Sequence, residues 1–212
     1  MKKLFLIAAV AVLGMNSADA QVKFGVKAGP QLTNFVGDDA ENSDMKFGFN
    51  VGGYANIRFS EQLAFQPELL YSLQGYKVEE SISEFGVTAK TEGKAHLSYI
   101  NVPLMMKWYA YDGLNFEFGP QVGFNVAAKG KSTTTITGGE FDQTLEQDED
   151  IDGISTVDFG VNIGAGYEME NGLNFGLRYG RGLTSVYDFE DANGDKAKAF
   201  NSVISLGIGY TF

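Results

Sequence analysis

The sequence predicts an all-β chain that closes into an eight-stranded antiparallel up-and-down transmembrane β-barrel. Three observations predict it. Eight segments alternate apolar residues with small or polar ones, the connections between them alternate short and long, and the polar face is built of glycine, amides and balanced charges. The composition of the 212 residues agrees. Gly occurs 27 times, Phe 17 and Tyr 10, and 44% of the chain is hydrophobic, too apolar for disorder. With no Cys and one His, disulfide frameworks, thiolate zinc sites and thiol nucleophiles are excluded. The net charge of −11 argues against nucleic acid as a partner. The glycines belong to strands rather than to a phosphate-binding loop, so no cofactor is expected.

The elements follow in order. Residues 1–20 read as a signal peptide that is removed: Lys2 and Lys3, an apolar run over 4–15, and the cleavage signal Ala18-Asp19-Ala20. The run is too short to span a membrane as a helix. Residues 21–212 then form one domain, with strands expected at roughly 22–35, 46–60, 63–80, 95–110, 114–131, 156–170, 173–189 and 198–212. The first carries Lys23 and Lys27 on its polar face, with Gly29-Pro30 as a candidate bend. The second carries Asn50 and Arg58, the third Gln66 and Glu68, the fourth Lys107. In the fifth, Leu114, Phe116, Phe118, Pro120, Val122, Phe124 and Val126 alternate with Asn115, Glu117, Gly119, Gln121, Gly123 and Asn125. The sixth sets Asp158, Asn162 and Glu168 against Val157, Phe159 and Val161. The seventh reads LNFGLRYG, with Arg178 on the polar face. The last sets Ile204, Leu206, Ile208, Tyr210 and Phe212 against small residues.

Ser60-Glu61-Gln62, Tyr111-Asp112-Gly113 and Glu170-Asn171-Gly172 are tight turns, while 36–45, 81–94, 132–155 and 189–197 are read as longer polar loops. That pattern puts both termini at the short-turn end. Periodicity alone fits a soluble or a membrane barrel. The glycine-rich polar face decides for the latter, because a small barrel interior needs small residues and paired charges. The apolar face is tall enough for a bilayer. Trp108, Tyr109, Tyr111, Tyr210 and Phe212 near the short turns, and Tyr71, Tyr76 and Tyr99 nearer the long loops, suit two interfacial zones, although not all of them face outward.

The stretch FQPELLYSLQGYK (65–77), followed by YINVPLMMKWY (99–109), resembles the PorT-like outer-membrane β-barrel family. That family pairs a QPELLYS strand with a Y-x-x-[IV]-P-L-x-x-K-[YFW] strand. The resemblance covers two adjacent strands and implies fold and an outer-membrane location in a Gram-negative envelope. Activity in the family is mostly unassigned, although its namesake is linked to protein secretion.

Three groups of residues are candidates for function. Lys23, Lys27, Arg58, Lys107 and Arg178, with Glu68, Glu117, Asp158 and Glu168, are expected to point inward as a charge network. His96 and Ser98 share a strand face near the long loops, the lipid face with Ile100 and Val102. The spacing looks like that of lipid A deacylase barrels, but Ala128 and Gly130, expected opposite, supply no carboxylate. Asp148, Asp150 and Asp152 before Gly153 resemble the start of a calcium loop whose closing Glu is replaced by Phe159. Asp191 to Asp195 forms a second oxygen-rich turn, and Thr133–Thr135 reads as extended loop. The expected function is non-enzymatic: a small outer-membrane barrel with a packed polar interior and acidic loops, in a structural or surface-interaction role. Its partners would be outer-membrane lipid or lipopolysaccharide and an extracellular or envelope protein met through the loops. A lipid-modifying enzyme, a narrow channel and an accessory subunit of a secretion complex are the alternatives.

Overall fold

The computed structural model describes residues 21–40, 43–84, 86–138, 142–188 and 198–212. The signal-peptide reading of residues 1–20 and the oxygen-rich turn at 191–195 lie outside them. Ten strands are present among the described residues: β1 (Gln21–Val36), β2 (Lys46–Arg58), β3 (Leu63–Gln74), β4 (Lys77–Glu84), β5 (Val87–Tyr111), β6 (Leu114–Thr137), β7 (Gln143–Asp150), β8 (Val157–Glu168), β9 (Leu173–Gly182) and β10 (Phe200–Thr211). Eight of them close a ring, in the order β1-β2-β3-β5-β6-β8-β9-β10, and β10 returns antiparallel to β1 from Gly25↔Thr211 to Val36↔Phe200. Closure leaves no free edge within the ring, which is what permits strands to sit in hydrocarbon.

The ring is inside-out relative to a soluble barrel. Along β5 the odd residues from Ala95 to Tyr109 are buried and the even ones face out; β6 keeps the same parity over its first residues, so Asn115 and Glu117 face in and Phe116 and Phe118 face out. Phe24, Phe49, Leu69, Trp108, Phe118, Ile163, Leu177 and Leu206 are all exposed, whereas Gln31, Asn50, Gln66, Glu68, Asn115 and Arg178 are buried. A continuous apolar belt around a buried polar interior is the arrangement a bilayer requires. At the tight-turn end Asp112 and Gly113 both adopt positive φ (37° and 85°), the geometry of the two-residue hairpin turn that matches strand twist.

Several expectations are corrected. Most of the described residues of 81–94 and 132–155 are strand rather than loop. β5 and β6 run past the ring, and β4 and β7 pair with their extensions, building a four-stranded sheet β4-β5-β6-β7 beyond the barrel. Its residues alternate Thr, Lys and Glu, so no apolar period marks them. The third strand stops at Gln74 and the seventh at Gly182. β1 shows no break at Gly29-Pro30: its register with β2 is continuous from Gln21↔Arg58 to Thr33↔Lys46. Pro30 points outward, and Gly29 is needed because a Cβ there would lie 1.7 Å from the Leu206 carbonyl oxygen. Of the aromatics, Trp108, Tyr111, Tyr210 and Phe212 face out, but Tyr99 and Tyr109 are buried inside.

Candidate functional site

Arg178 occupies the middle of the lumen. Its Nη1 and Nη2 donate to the two carboxylate oxygens of Glu68 at 2.8 Å each, and its Nε donates to Glu117 at 2.7 Å. Lys27 Nζ reaches both oxygens of Glu68 at 3.1 Å, and Gln66 Nε2 adds a bond at 2.8 Å. Lys27 of β1, Glu68 of β3, Glu117 of β6 and Arg178 of β9 thereby form one connected network. The Glu68 side chain is wholly inaccessible, so this lattice is paid for in desolvation and holds only because every charge is met.

A second cluster lies toward the tight turns. Arg58 Nη2 is 3.4 Å from Glu168, and its guanidinium lies over the Tyr109 ring at 4.1 Å. Tyr109 Oη donates to Glu168 at 2.8 Å and accepts from Asn56 at 3.1 Å; Asn56 also donates to Gln66. Asn56, Gln66 and Tyr109 thus link the two clusters. Their inward register was legible in the sequence, but charge alone singles out none of them. Lys107 is buried beside Glu117 across the β5–β6 ladder, and Lys23 lies half-buried near the tight-turn end of β1.

Toward the other end, Asp158 accepts bonds from Thr184 and Asn201 at 2.8 Å each. Above it Phe35, Leu97, Tyr99, Val186 and Ala199 form a buried apolar cluster, joined by Tyr76, Ala128, Ile154 and Tyr187. Segment 183–188 folds inward to build this cap, with Val186 N donating to Ala199 O and Ser155 N to Val186 O. Nothing periodic announces it. Between cap and lattice the lumen is filled unevenly. A cavity of about 80 Å³ remains, bordered by Gly160, Gly166, Gly176, Gly180, Gly182 and Gly207 of β8–β10. It takes a handful of waters. Its lining draws on every strand of the ring, including Gln31, Asn50, Gln66, Asn101 and Gln121.

Among the described residues the protruding sheet has two open edges, β7 and, beyond a bridge of Lys77 to Asp44, β4. β7 reads QTLEQDED and is exposed throughout. Its face is laced by exposed ion pairs, Lys77–Glu79, Lys90–Glu79, Lys94–Glu92 and Lys131–Glu146, each contributing little by itself. Hydrogen bonds from Lys77 and Lys90 hold the Glu79 carboxyl below its ordinary 4.5.

His96 and Ser98 face outward where β5 leaves the ring. A bulge between Ser98 and Tyr99 shifts the register, so Lys129 and Ala127 stand opposite them in place of the expected Ala128 and Gly130. Ser98 Oγ bonds to Tyr71 Oη at 3.0 Å, and no carboxylate pairs with His96 among the described residues. Asp148 and Asp150 lie on β7 opposite Lys131 and Lys129, with Asp152 beyond the strand. Among the described residues no three acids or histidines gather as a metal site.

Residues 16–188 match the family described as "Outer membrane protein beta-barrel domain". The chain belongs to that family. Among solved structures, Neisserial surface protein A is similar at 14% identity and TM-score 0.51, over 92% of this chain and 100% of that one. Ail of Yersinia pestis in a phospholipid bilayer nanodisc is 15% identical, over 91% and 100%, with TM-score 0.45. The first likeness is one of fold. No curated protein matches the sequence. As an outer-membrane β-barrel domain, the chain presents its apolar belt to lipid and carries the β4–β7 sheet outside it.

Proposed function

We propose that the protein is a non-enzymatic surface-interaction barrel, exported through its N-terminal 20 residues and anchored by its ring, that presents the β4-β5-β6-β7 sheet to a protein partner. The observation that carries this reading is that β5 and β6 continue past the ring and acquire edge strands of their own. A free strand edge offers a row of backbone donors and acceptors to an extended segment. Glu146, Asp148, Glu149 and Asp150 on β7 repel a second copy of the same edge and favour a basic partner segment. The PorT-like motifs fall on β3 and β5, hydrogen-bonded neighbours of the ring, which supports assignment to that branch of the family. The Ser98–Tyr71 bond, without a carboxylate behind His96, gives no support to the lipid-modifying alternative.

The test compares the full barrel with a variant whose β4–β5 and β6–β7 hairpins are cut back to tight turns. Heat-modifiability on SDS gels verifies that both remain folded. Partners from the cell-envelope fraction that are cross-linked by the full barrel and lost with the shortened one support the reading. The same partners from both barrels would sink it.

A further inference from the structure

At the end of the ring from which the β4–β7 sheet rises, the lipid face of three adjacent strands is interrupted by a polar row. Asn34 of β1 stands opposite Ser202 of β10, and Ser202 stands opposite Arg181 of β9. All three share the outward parity of the exposed Leu32, Ile204 and Tyr179, which form the next row of the apolar belt. Among the described residues none of the three side chains has a hydrogen-bonded or ion-paired partner. The Arg181 guanidinium lies over the Phe200 ring, 5.6 Å from its centroid. Phe200 is two residues further from the belt than Ser202, so the charge is turned out of the hydrocarbon toward the headgroups. The acids at this end do not answer it. Asp158 points into the lumen, held by Thr184 and Asn201, and Asp38 pairs with Lys198.

An unpaired guanidinium on a lipid face is costly unless a headgroup meets it. We propose that Asn34, Ser202 and Arg181 form a binding site for a phosphate group of lipid A, at the level where its phosphorylated sugars meet its acyl chains. The guanidinium presents parallel N–H donors that match two phosphate oxygens, and the Phe200 ring steadies its plane. Ser202 Oγ and Asn34 Nδ2 supply neutral donors beside it. Neighbouring strands lie about 4.8 Å apart, so the row spans about 10 Å, the width of a phosphorylated sugar. Leu32, Ile204 and Tyr179 immediately beneath offer an apolar surface to the acyl chains. The site lies on β1, β9 and β10 of the ring, apart from the protruding sheet and from any partner that sheet takes.

Lipid A, the same lipid A enzymatically dephosphorylated, and phosphatidylglycerol are each titrated into the detergent-folded barrel, and bound lipid is counted by native mass spectrometry. Heat-modifiability verifies that every variant is folded. Wild type should bind phosphorylated lipid A saturably and the dephosphorylated form at least about tenfold more weakly. Arg181→Gln should lose the same factor. Lys129→Gln, which removes an exposed cation at the same end of the ring but outside the row, should bind as wild type does. Equal affinity for the two forms of lipid A would overturn the site, and this comparison needs no variant to fold. Equal affinity of wild type and Arg181→Gln, an equal loss in Lys129→Gln, or phosphatidylglycerol bound as tightly as lipid A would each overturn it too.

Discussion

Replacing Arg178 by Met removes three charge-assisted hydrogen bonds at 2.7–2.8 Å from the centre of the lumen. Bonds of that kind are each worth about 1.5–3 kcal/mol, but they share one side chain whose own burial is costly, so they do not add. Glu68 keeps Lys27 at 3.1 Å and Gln66 at 2.8 Å. The loss therefore falls on Glu117, whose carboxylate has no other ion pair among the described residues. Removing one partner of a buried pair costs about 3–5 kcal/mol, and that is the destabilisation expected of Arg178→Met. Neutralising the stranded carboxylate should undo much of it. Glu117→Gln in the Arg178→Met background is expected to recover at least about 1.5 kcal/mol relative to additivity. Urea unfolding in lipid vesicles, followed by Trp108 fluorescence and by the heat-dependent gel shift, measures both. A single-variant loss below about 1 kcal/mol, or strict additivity in the double variant, would refute the account of the lattice as a set of mutually dependent buried charges.

Other outcomes follow from particular residues. Gly176→Ala should be tolerated within about 0.5 kcal/mol, because its Cβ would make only an ordinary contact with the Ala165 carbonyl at 3.7 Å, whereas Gly29→Ala should cost more than about 2 kcal/mol, because its Cβ would collide with the Leu206 carbonyl; the same urea titration separates them. Glu79 ionises below its usual value, so its pairing stabilises the β4–β5 hairpin above the unfolded pKa and is lost as pH falls through the lowered one. Amide protection over 77–84, relative to the unfolded chain at the same pH, should therefore fall in acid below about pH 4 while the ring amides stay protected. Ser98→Ala removes the bond to Tyr71 and should change stability by no more than about 1 kcal/mol; lipid A incubated with wild type and variant should be equally intact, and deacylation by the wild type alone would revive the enzyme alternative. Val186→Asp buries an unpaired charge in the apolar cap. Exchange over 183–188 should rise sharply while heat-modifiability persists, and unaltered protection there would show that the cap does not depend on Val186.

The sequence by itself determined the barrel. A period of two needs only neighbouring residues to be visible, so alternations such as Leu114–Val126 and the run LNFGLRYG identify strands, and the glycine and amide content of one face identifies it as the interior. Arg178, Glu68, Glu117 and Lys27 could be assigned an inward direction in the same way. Which carboxylate meets which cation could not, because Arg178 and Glu68 lie 110 residues apart and meet across the lumen rather than along a ladder. Only closure of the ring sets that geometry. The protruding sheet was missed for the opposite reason. Above the bilayer both faces of a strand are wet, so the Thr, Lys and Glu of 87–94 and 132–137 carry no apolar signal, and their pairing is decided by the ladder continuing from β5 and β6 within the ring. A single bulge at Ser98/Tyr99 then displaced the partners expected opposite His96 and Ser98 by one residue. Local alternation thus fixes direction, while register, bulges and contacts across the lumen exist only once eight strands have closed.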